Sequence, residues 1–218
     1  MDKDHLISRR SFIKTASLIG SGFAIGFNFL QAKRELNSEF SPNMYINVLS
    51  DDTVILSVSK AEMGQGIWTS LPMLIAEEME VDWGKVKVQQ ISKDNFIGTG
   101  GSMSISGYGW EKMREAGAVA KQVLVESAAL KWKVSPVECL AKNSVVYHPK
   151  TRRSISFGSL VDKASKVKIP KSVRLKKPSE FNLLGKDMLR TDSKIKVDGT
   201  ALFAMDKHLS GMLYAMVE

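Results

Sequence analysis

The sequence predicts an α+β fold, a mixed sheet with packed helices, from three observations. Two short period-two runs flank an Asp-Asp turn within 44–59, two segments at 68–79 and 110–132 carry apolar residues at helical spacing, and further short strand patterns follow the second of these. Beyond an N-terminal segment, about 185 residues remain, room for one compact domain and part of another.

Residues 1–32 read as an export signal. Arg9 and Arg10 stand in SRRSFIK, ahead of a charge-free stretch from Thr15 to Ala32 that is only mildly apolar because Gly20, Gly22, Gly26 and Asn28 dilute it. A basic head followed by a short apolar region is the layout of a twin-arginine signal peptide. An uncleaved anchor and a buried glycine-rich helix are the alternatives. A spanning helix needs roughly 20 strongly apolar residues, which this run does not offer. The twin-arginine route carries proteins already folded, commonly ones loaded with a cofactor, and it places the mature protein in the periplasm or against its membrane.

The elements follow in order. Residues 44–50 and 53–59 alternate around Asp51 and Asp52 as a β-hairpin. Residues 68–79 place Leu71, Leu74, Ile75 and Met79 on one helical face, with Glu77, Glu78 and Glu80 near the other. Val86, Val88 and Gln90 alternate with polar neighbours as a half-exposed strand. A glycine and serine loop at 98–109 leads into the long helix 110–132, striped by Met113, Ala116, Ala120, Leu124 and Ala128. Ser135, Pro136 and Glu138 have the chemistry of a helix start. A second hairpin is expected from 145–147 and 154–156 about the turn residues 148–153, then a short helix over 158–165. Residues 197–205 and 212–217 read as strands, and a strand pair that stops at Glu218 without partners suggests a truncated C-terminus.

Composition narrows the function classes. The net charge of +8 is concentrated at Lys163, Lys166, Lys168, Lys171, Arg174, Lys176 and Lys177. That run lacks interleaved aromatics and contains Pro170 and Pro178, so it reads as a solvated linker or docking edge, not a nucleic-acid site. Cys139 is the only cysteine, which excludes an intrachain disulfide and suits a small buried residue. His148 and His208 are far apart, and no protein-ligated metal is expected.

Two glycine segments carry the candidate chemistry. In EMGQG, Met63, Gly64, Gln65 and Gly66 lie between a strand and a helix, where missing side chains bare the backbone and the Gln65 amide offers a donor and an acceptor. In TGGSMS, Thr99, Gly100, Gly101, Ser102 and Ser104 precede the long helix and suit a phosphate or other anion, although neither a P-loop nor a dinucleotide fingerprint is met. Glycines at a strand-to-helix turn are more often plain turn chemistry, and a disordered surface loop is the alternative for the second segment.

Taken together, EMGQGIWTSLPMLIAEEMEVDWGKVKV, GTGGSMSISGYGWEKMREAGAVAK and FNLLGKDMLRTDSKIKVDGTALFAMD resemble, in order, the molybdopterin-binding large subunits of the xanthine dehydrogenase and aldehyde oxidase type. The likeness is greatest to isoquinoline 1-oxidoreductase β subunits, which also begin with a twin-arginine signal. It implies a molybdopterin-binding domain portion over 43–165, a basic linker over 166–190 and the start of an α/β hammerhead-like domain over 191–218. It implies that Met63, Gly64, Gln65 and Gly66 bond the pterin, and that Thr99, Gly100, Gly101, Ser102 and Ser104 hold it and its phosphate or cytosine dinucleotide tail. Molybdenum would be held by the pterin dithiolene, not by protein side chains.

The activity implied is oxidative hydroxylation of an N-heteroaromatic or aldehyde with water-derived oxygen. Electrons would leave through iron–sulfur clusters on a small partner subunit, none lying on this chain, to a cytochrome acceptor. The later glycine loop and the distal glutamate base of the family have no counterpart in these 218 residues, so the catalytic base is unassigned. Glu62, Glu77, Glu78 and Glu111 read as turn or helix-surface carboxylates. The chain is then expected to act with the remainder of the large subunit, after engaging the twin-arginine machinery. A non-catalytic exported binding module, or one half of a split enzyme, is the competing class.

Overall fold

The computed structural model describes residues 39–43, 45–91 and 103–216. Residues 1–32, expected to be an export signal, and Thr99, Gly100, Gly101 and Ser102 lie outside the described residues. Strands β1 (Glu39–Asn43), β2 (Ile46–Leu49) and β3 (Val54–Val58) form an antiparallel meander, and β4 (Val86–Gln90) joins the edge of β3 in parallel. Helix α1 (Ile67–Met79) makes the crossover between β3 and β4, as a parallel pair requires. The expected hairpin is present, with Val54 opposite Val48 and, on its other side, Val86.

Helix α2 (Met103–Ser106) leads into α3 (Tyr108–Trp132), which starts two residues before the expected Trp110. Its core-facing Val123, Leu124 and Ala128 are fully buried against α1 and the sheet with Leu74, Ile75 and Met79. The two helices touch at Gly117, where an added Cβ would lie 2.3 Å from the Ile75 carbonyl oxygen. Only a residue without a side chain permits that approach.

A second sheet follows, β5 (Leu140–Lys142), β6 (Val145–His148) and β7 (Arg153–Ser156), antiparallel throughout. The hairpin of β6 and β7 is the one the pattern predicts, whereas β5 is too short to leave a periodic trace. Ser144, fully buried, joins this sheet to the end of α1: its N–H donates to the Glu80 carbonyl and its Oγ accepts from the Asp82 N–H. Residues 158–160 form a single 3-10 turn that runs into α4 (Val161–Ala164), and the Gly158 N–H donates to Asp52 Oδ1 at 2.7 Å, docking the first hairpin.

Four expectations are corrected. Pro136 opens a 3-10 turn, but Ser135 makes no side-chain cap. His148 is a buried residue at the end of β6, paired with Arg153, and not part of the turn, with Nδ1 hydrogen-bonded to the Thr151 hydroxyl at 2.7 Å. Residues 197–205 and 212–216 hold no strand. Instead α5 (Ser193–Val197) and a 3-10 turn at Ala204–Asp206 appear, and Val197, Met205, Leu213 and Met216 are exposed. A strand needs a neighbour for its backbone groups, and none lies beside this segment among the described residues.

The fourth correction concerns Glu77 and Glu78, which are buried, not on the helix surface. They anchor residues 174–192, so the end of the basic run is no solvated linker. Glu77 accepts from Lys176 Nζ at 2.5 Å and from the backbone N–H groups of Asn182, Leu183 and Leu184 at 2.7 to 3.1 Å. Glu78 accepts from Arg114 Nε at 2.8 Å and from the Lys176 N–H. Arg114 in turn lies over the rings of Trp110 and Phe181 at 5.3 and 5.1 Å. Residues 174–192 therefore form a strap that runs back along α1, from its C-terminal carboxylates to its N-terminal turn.

Candidate functional site

The segment 62–66 is the turn between β3 and the N-terminus of α1. Gly64 and Gly66 have φ of 101° and 79°, a left-handed backbone that glycine adopts without penalty. Gly66 occupies the N-cap position of α1 and has no side chain to cap it. Glu62 supplies the cap instead. Its Oε1 accepts from the N–H groups of Gly64 and Gly66 at 2.8 and 3.0 Å, and its Oε2 accepts from Trp68 N–H at 3.2 Å. A carboxylate there also meets the positive end of the helix. Glu62 is thus a turn carboxylate, as expected. Burial opposes its ionisation, but the donors of Trp68, Gly66 and Gly64 together with Arg190 outweigh it and hold the carboxyl below its usual range.

Gln65 closes the loop on itself. Its Oε1 accepts from the Met63 N–H at 2.5 Å and its Nε2 donates to the Ala61 carbonyl at 2.8 Å. A primary amide has a second hydrogen and a second lone pair, so one donor and one acceptor remain for another group. Met63 is exposed. An added Cβ on Gly64 or Gly66 would meet no atom of the described residues within 4 Å, so both glycines border space that those residues leave open. The N–H groups of Met63, Gly64 and Gly66 are thus already bonded within the turn, so what the loop offers a ligand is the open faces of its two glycines and the remaining donor and acceptor of the Gln65 amide. The anion-binding half expected from Thr99, Gly100, Gly101 and Ser102 is not among the described residues. Ser104 falls in α2, directly ahead of α3.

Three residues not anticipated from sequence complete this end of the molecule. Arg190 donates to the Gly64 carbonyl at 2.9 Å and to Glu62 Oε1 at 3.2 Å, and is braced by Asp192 at 2.8 and 2.9 Å. Asp192, almost fully buried, also meets Lys196, and the Arg190 guanidinium and then Lys196 hold its carboxyl far below the usual range. Thr191 answers a defect in α1. Pro72 has no N–H, so the Trp68 carbonyl loses its helical donor. The Thr191 hydroxyl donates to that carbonyl at 3.2 Å, and the Thr191 N–H donates to Thr69 Oγ1 at 3.0 Å. The signal available in the sequence was Pro72 inside a predicted helix, which advertises an unsatisfied acceptor.

An open cleft of about 390 Å³ lies elsewhere, between α3 and the strap, lined in part by Glu80, Lys121, Arg174 and Lys176. It includes none of residues 63–66. Burial depresses the Lys121 ammonium, with Glu78 opposing that shift. Among the described residues no group of three or more His, Cys, Asp or Glu side chains is placed to hold a metal ion. No helix of the described residues is long and apolar enough to cross a membrane.

Comparison with known proteins bears on the family of the chain. The chain is 32% identical to the isoquinoline 1-oxidoreductase subunit beta of Brevundimonas diminuta, over 97% of this chain and 33% of that protein. It is 32% identical to the membrane-bound aldehyde dehydrogenase (pyrroloquinoline-quinone) of Gluconacetobacter polyoxogenes, over 95% of this chain and 29% of that one. The chain thus spans about a third of the length of these relatives. Among solved structures, quinoline 2-oxidoreductase from Pseudomonas putida 86 is similar with a TM-score of 0.45 and 18% identity, over 53% of this chain and 15% of that one. Residues 7–202, including the whole 62–66 turn, the strap and the helices between them, match the molybdopterin cofactor-binding domain family. With a match across nearly its whole length, the chain belongs to that family.

Proposed function

We propose that this chain is the N-terminal portion of an exported molybdenum hydroxylase large subunit, and that its 63–66 loop binds molybdopterin. The observation that supports this best is the loop itself: a turn already shaped by Glu62, with two glycines facing open space and the Gln65 amide holding one donor and one acceptor in reserve. Met63, Gly64, Gln65 and Gly66 hold one edge of the pterin, while Thr99, Gly100, Gly101, Ser102 and Ser104 hold its phosphate or cytosine dinucleotide tail. The chemistry supplied by the bound group is two-electron hydroxylation of an N-heteroaromatic or aldehyde, with oxygen from water and electrons passed to iron–sulfur clusters on a partner subunit and on to a cytochrome. The chain's own residues bind and orient. The general base belongs to the remainder of the large subunit.

That remainder is the partner for which the C-terminal surface is suited. Leu202, Phe203, Met205, Leu209, Leu213, Tyr214 and Met216 are all more than half exposed within 15 residues, and such apolar density is rarely left to water in a finished assembly. Residues 1–32 direct the loaded protein through the twin-arginine machinery to the periplasm.

The test is molybdenum and pterin analysis of the protein purified after co-expression with its neighbouring reading frames. Bound molybdenum and pterin are expected, and both fall when Gln65 and Ser102 are replaced by alanine. A stable, monomeric product free of both would favour a non-catalytic binding module and overturn the proposal.

A further inference from the structure

Among the described residues, the hydrogen bonds from the strap to the glycine loop come from Arg190, which reaches Gly64 across 126 positions of sequence. Its guanidinium makes three kinds of contact. It donates to the Gly64 carbonyl at 2.9 Å, to Glu62 Oε1 at 3.2 Å, and through Nε and NH2 to both oxygens of Asp192. The Glu62 oxygen it touches is the one that also accepts from Gly64 N–H and Gly66 N–H. A planar donor fork with a buried carboxylate behind it fixes direction as well as distance, which a lysine ammonium does not. Thr191, the next residue, is pinned on Thr69 and Trp68 at the start of α1, so Arg190 cannot drift away from the loop without breaking those bonds as well.

We propose that Arg190 is a positioning residue for the 62–66 loop, holding the Gly64 carbonyl and the Glu62 carboxylate in one fixed arrangement so that the glycine backbone stays presented to its ligand. Asp192 acts behind it by aiming the guanidinium. The identity of the ligand rests on the cofactor reading above, whereas the mechanical role stands without it. Gly64 and Gly66 are the least restricted residues a turn can contain, and two of them within three positions would sample many shapes if nothing held them. Arg190 removes that freedom before the ligand arrives.

The experiment is hydrogen exchange on the full chain, following the amides of Gly64, Gly66 and Trp68 with those of α3 as an internal reference, paired with pterin content per chain after the co-expression described above. Arg190→Ala is expected to speed exchange at the three loop amides about tenfold, leave α3 unchanged and lower pterin content. Arg190→Lys, which keeps charge but not the fork, should fall between that variant and the parent, and Asp192→Asn should loosen the loop less than Arg190→Ala. Unchanged loop exchange in Arg190→Ala overturns the proposal outright. A loosened loop with full pterin content overturns its role toward the ligand. If the parent chain carries no pterin, the cofactor reading fails, and loop exchange still decides what Arg190 does. If Arg190→Ala disturbs α3 too, the Lys and Asn variants decide: the graded loosening confined to the loop supports the proposal, and its absence refutes it.

Discussion

Replacing Glu77 by alanine removes the acceptor for four donors at once: Lys176 Nζ and the N–H groups of Asn182, Leu183 and Leu184. Glu77 is 2% exposed, so solvent cannot take its place. Lys176 keeps Glu80 at 2.6 Å, which limits the damage on that side. Breaking a buried pair of this kind costs about 4 kcal/mol, a large part of the 5–15 kcal/mol by which a typical domain is stable. Glu77→Gln keeps the shape and one acceptor oxygen but loses the charge, and is expected to cost about 2 kcal/mol. Glu111→Gln, an exposed carboxylate on α3, should change stability by less than about 0.5 kcal/mol. Urea unfolding measures all three, and limited trypsin digestion reports whether the strap between Lys177 and Arg190 has come loose. A Glu77→Ala variant that loses under about 1 kcal/mol with an unchanged denaturant slope would refute the reasoning, because the strap would then be held by its apolar contacts and not by the carboxylate.

Acidification should act through the same anchors. Glu62, Glu77 and Asp192 all have folded-state values below those of the unfolded chain, each against an opposing burial effect, so their stabilisation is complete above roughly pH 4.5 and is lost as pH falls through the lower folded values. The urea midpoint is expected to fall below about pH 4.5, less steeply in Glu77→Gln; a rise on acidification would contradict the assignment. Gly117→Ala separates two effects of opposite sign, since alanine is the better helix former by about 1 kcal/mol but its Cβ would lie 2.3 Å from the Ile75 carbonyl oxygen. A net loss of about 2 kcal/mol is expected from the forced separation of the helices, and a gain in melting temperature would show that they do not touch there. Thr191→Val should cost about 1 kcal/mol through the stranded Trp68 carbonyl. Adding Pro72→Ala restores a helical donor, so the double variant is expected to recover part of that loss, and strict additivity of the two changes would argue against the pairing.

The helices and hairpins were legible because burial writes a period into them. The 68–79 and 110–132 segments and the alternation on either side of Asp51 and Asp52 appear in the structure within a residue or two of their expected ends. The sequence pattern misplaced what depends on a distant partner. Glu77 and Glu78 read as surface residues because charge normally marks the wet face, and nothing nearby in sequence announces that Lys176 and the 182–184 backbone return to cover them. The C-terminal residues alternate like strands, but strand geometry needs a neighbouring edge. At the candidate site, Gly64 and Gly66 stood out through composition alone, while Arg190, 126 residues from Gly64, carried no local sign of its contact.

The course of the strap along α1 has a thermodynamic corollary. One end closes over Glu77 and Glu78 and the other grips the glycine turn, so the two share a single rigid helix and a single stretch of chain. Anything that prefers the ordered turn to the disordered one must favour strap attachment by the same factor, and a firmly attached strap must tighten the binding of that ligand in return. Occupancy at the turn would therefore be felt at Lys176, at the far end of the helix, as slower opening. Conversely, a chain whose carboxylate anchors have been neutralised by acid would surrender its ligand before its helices melt.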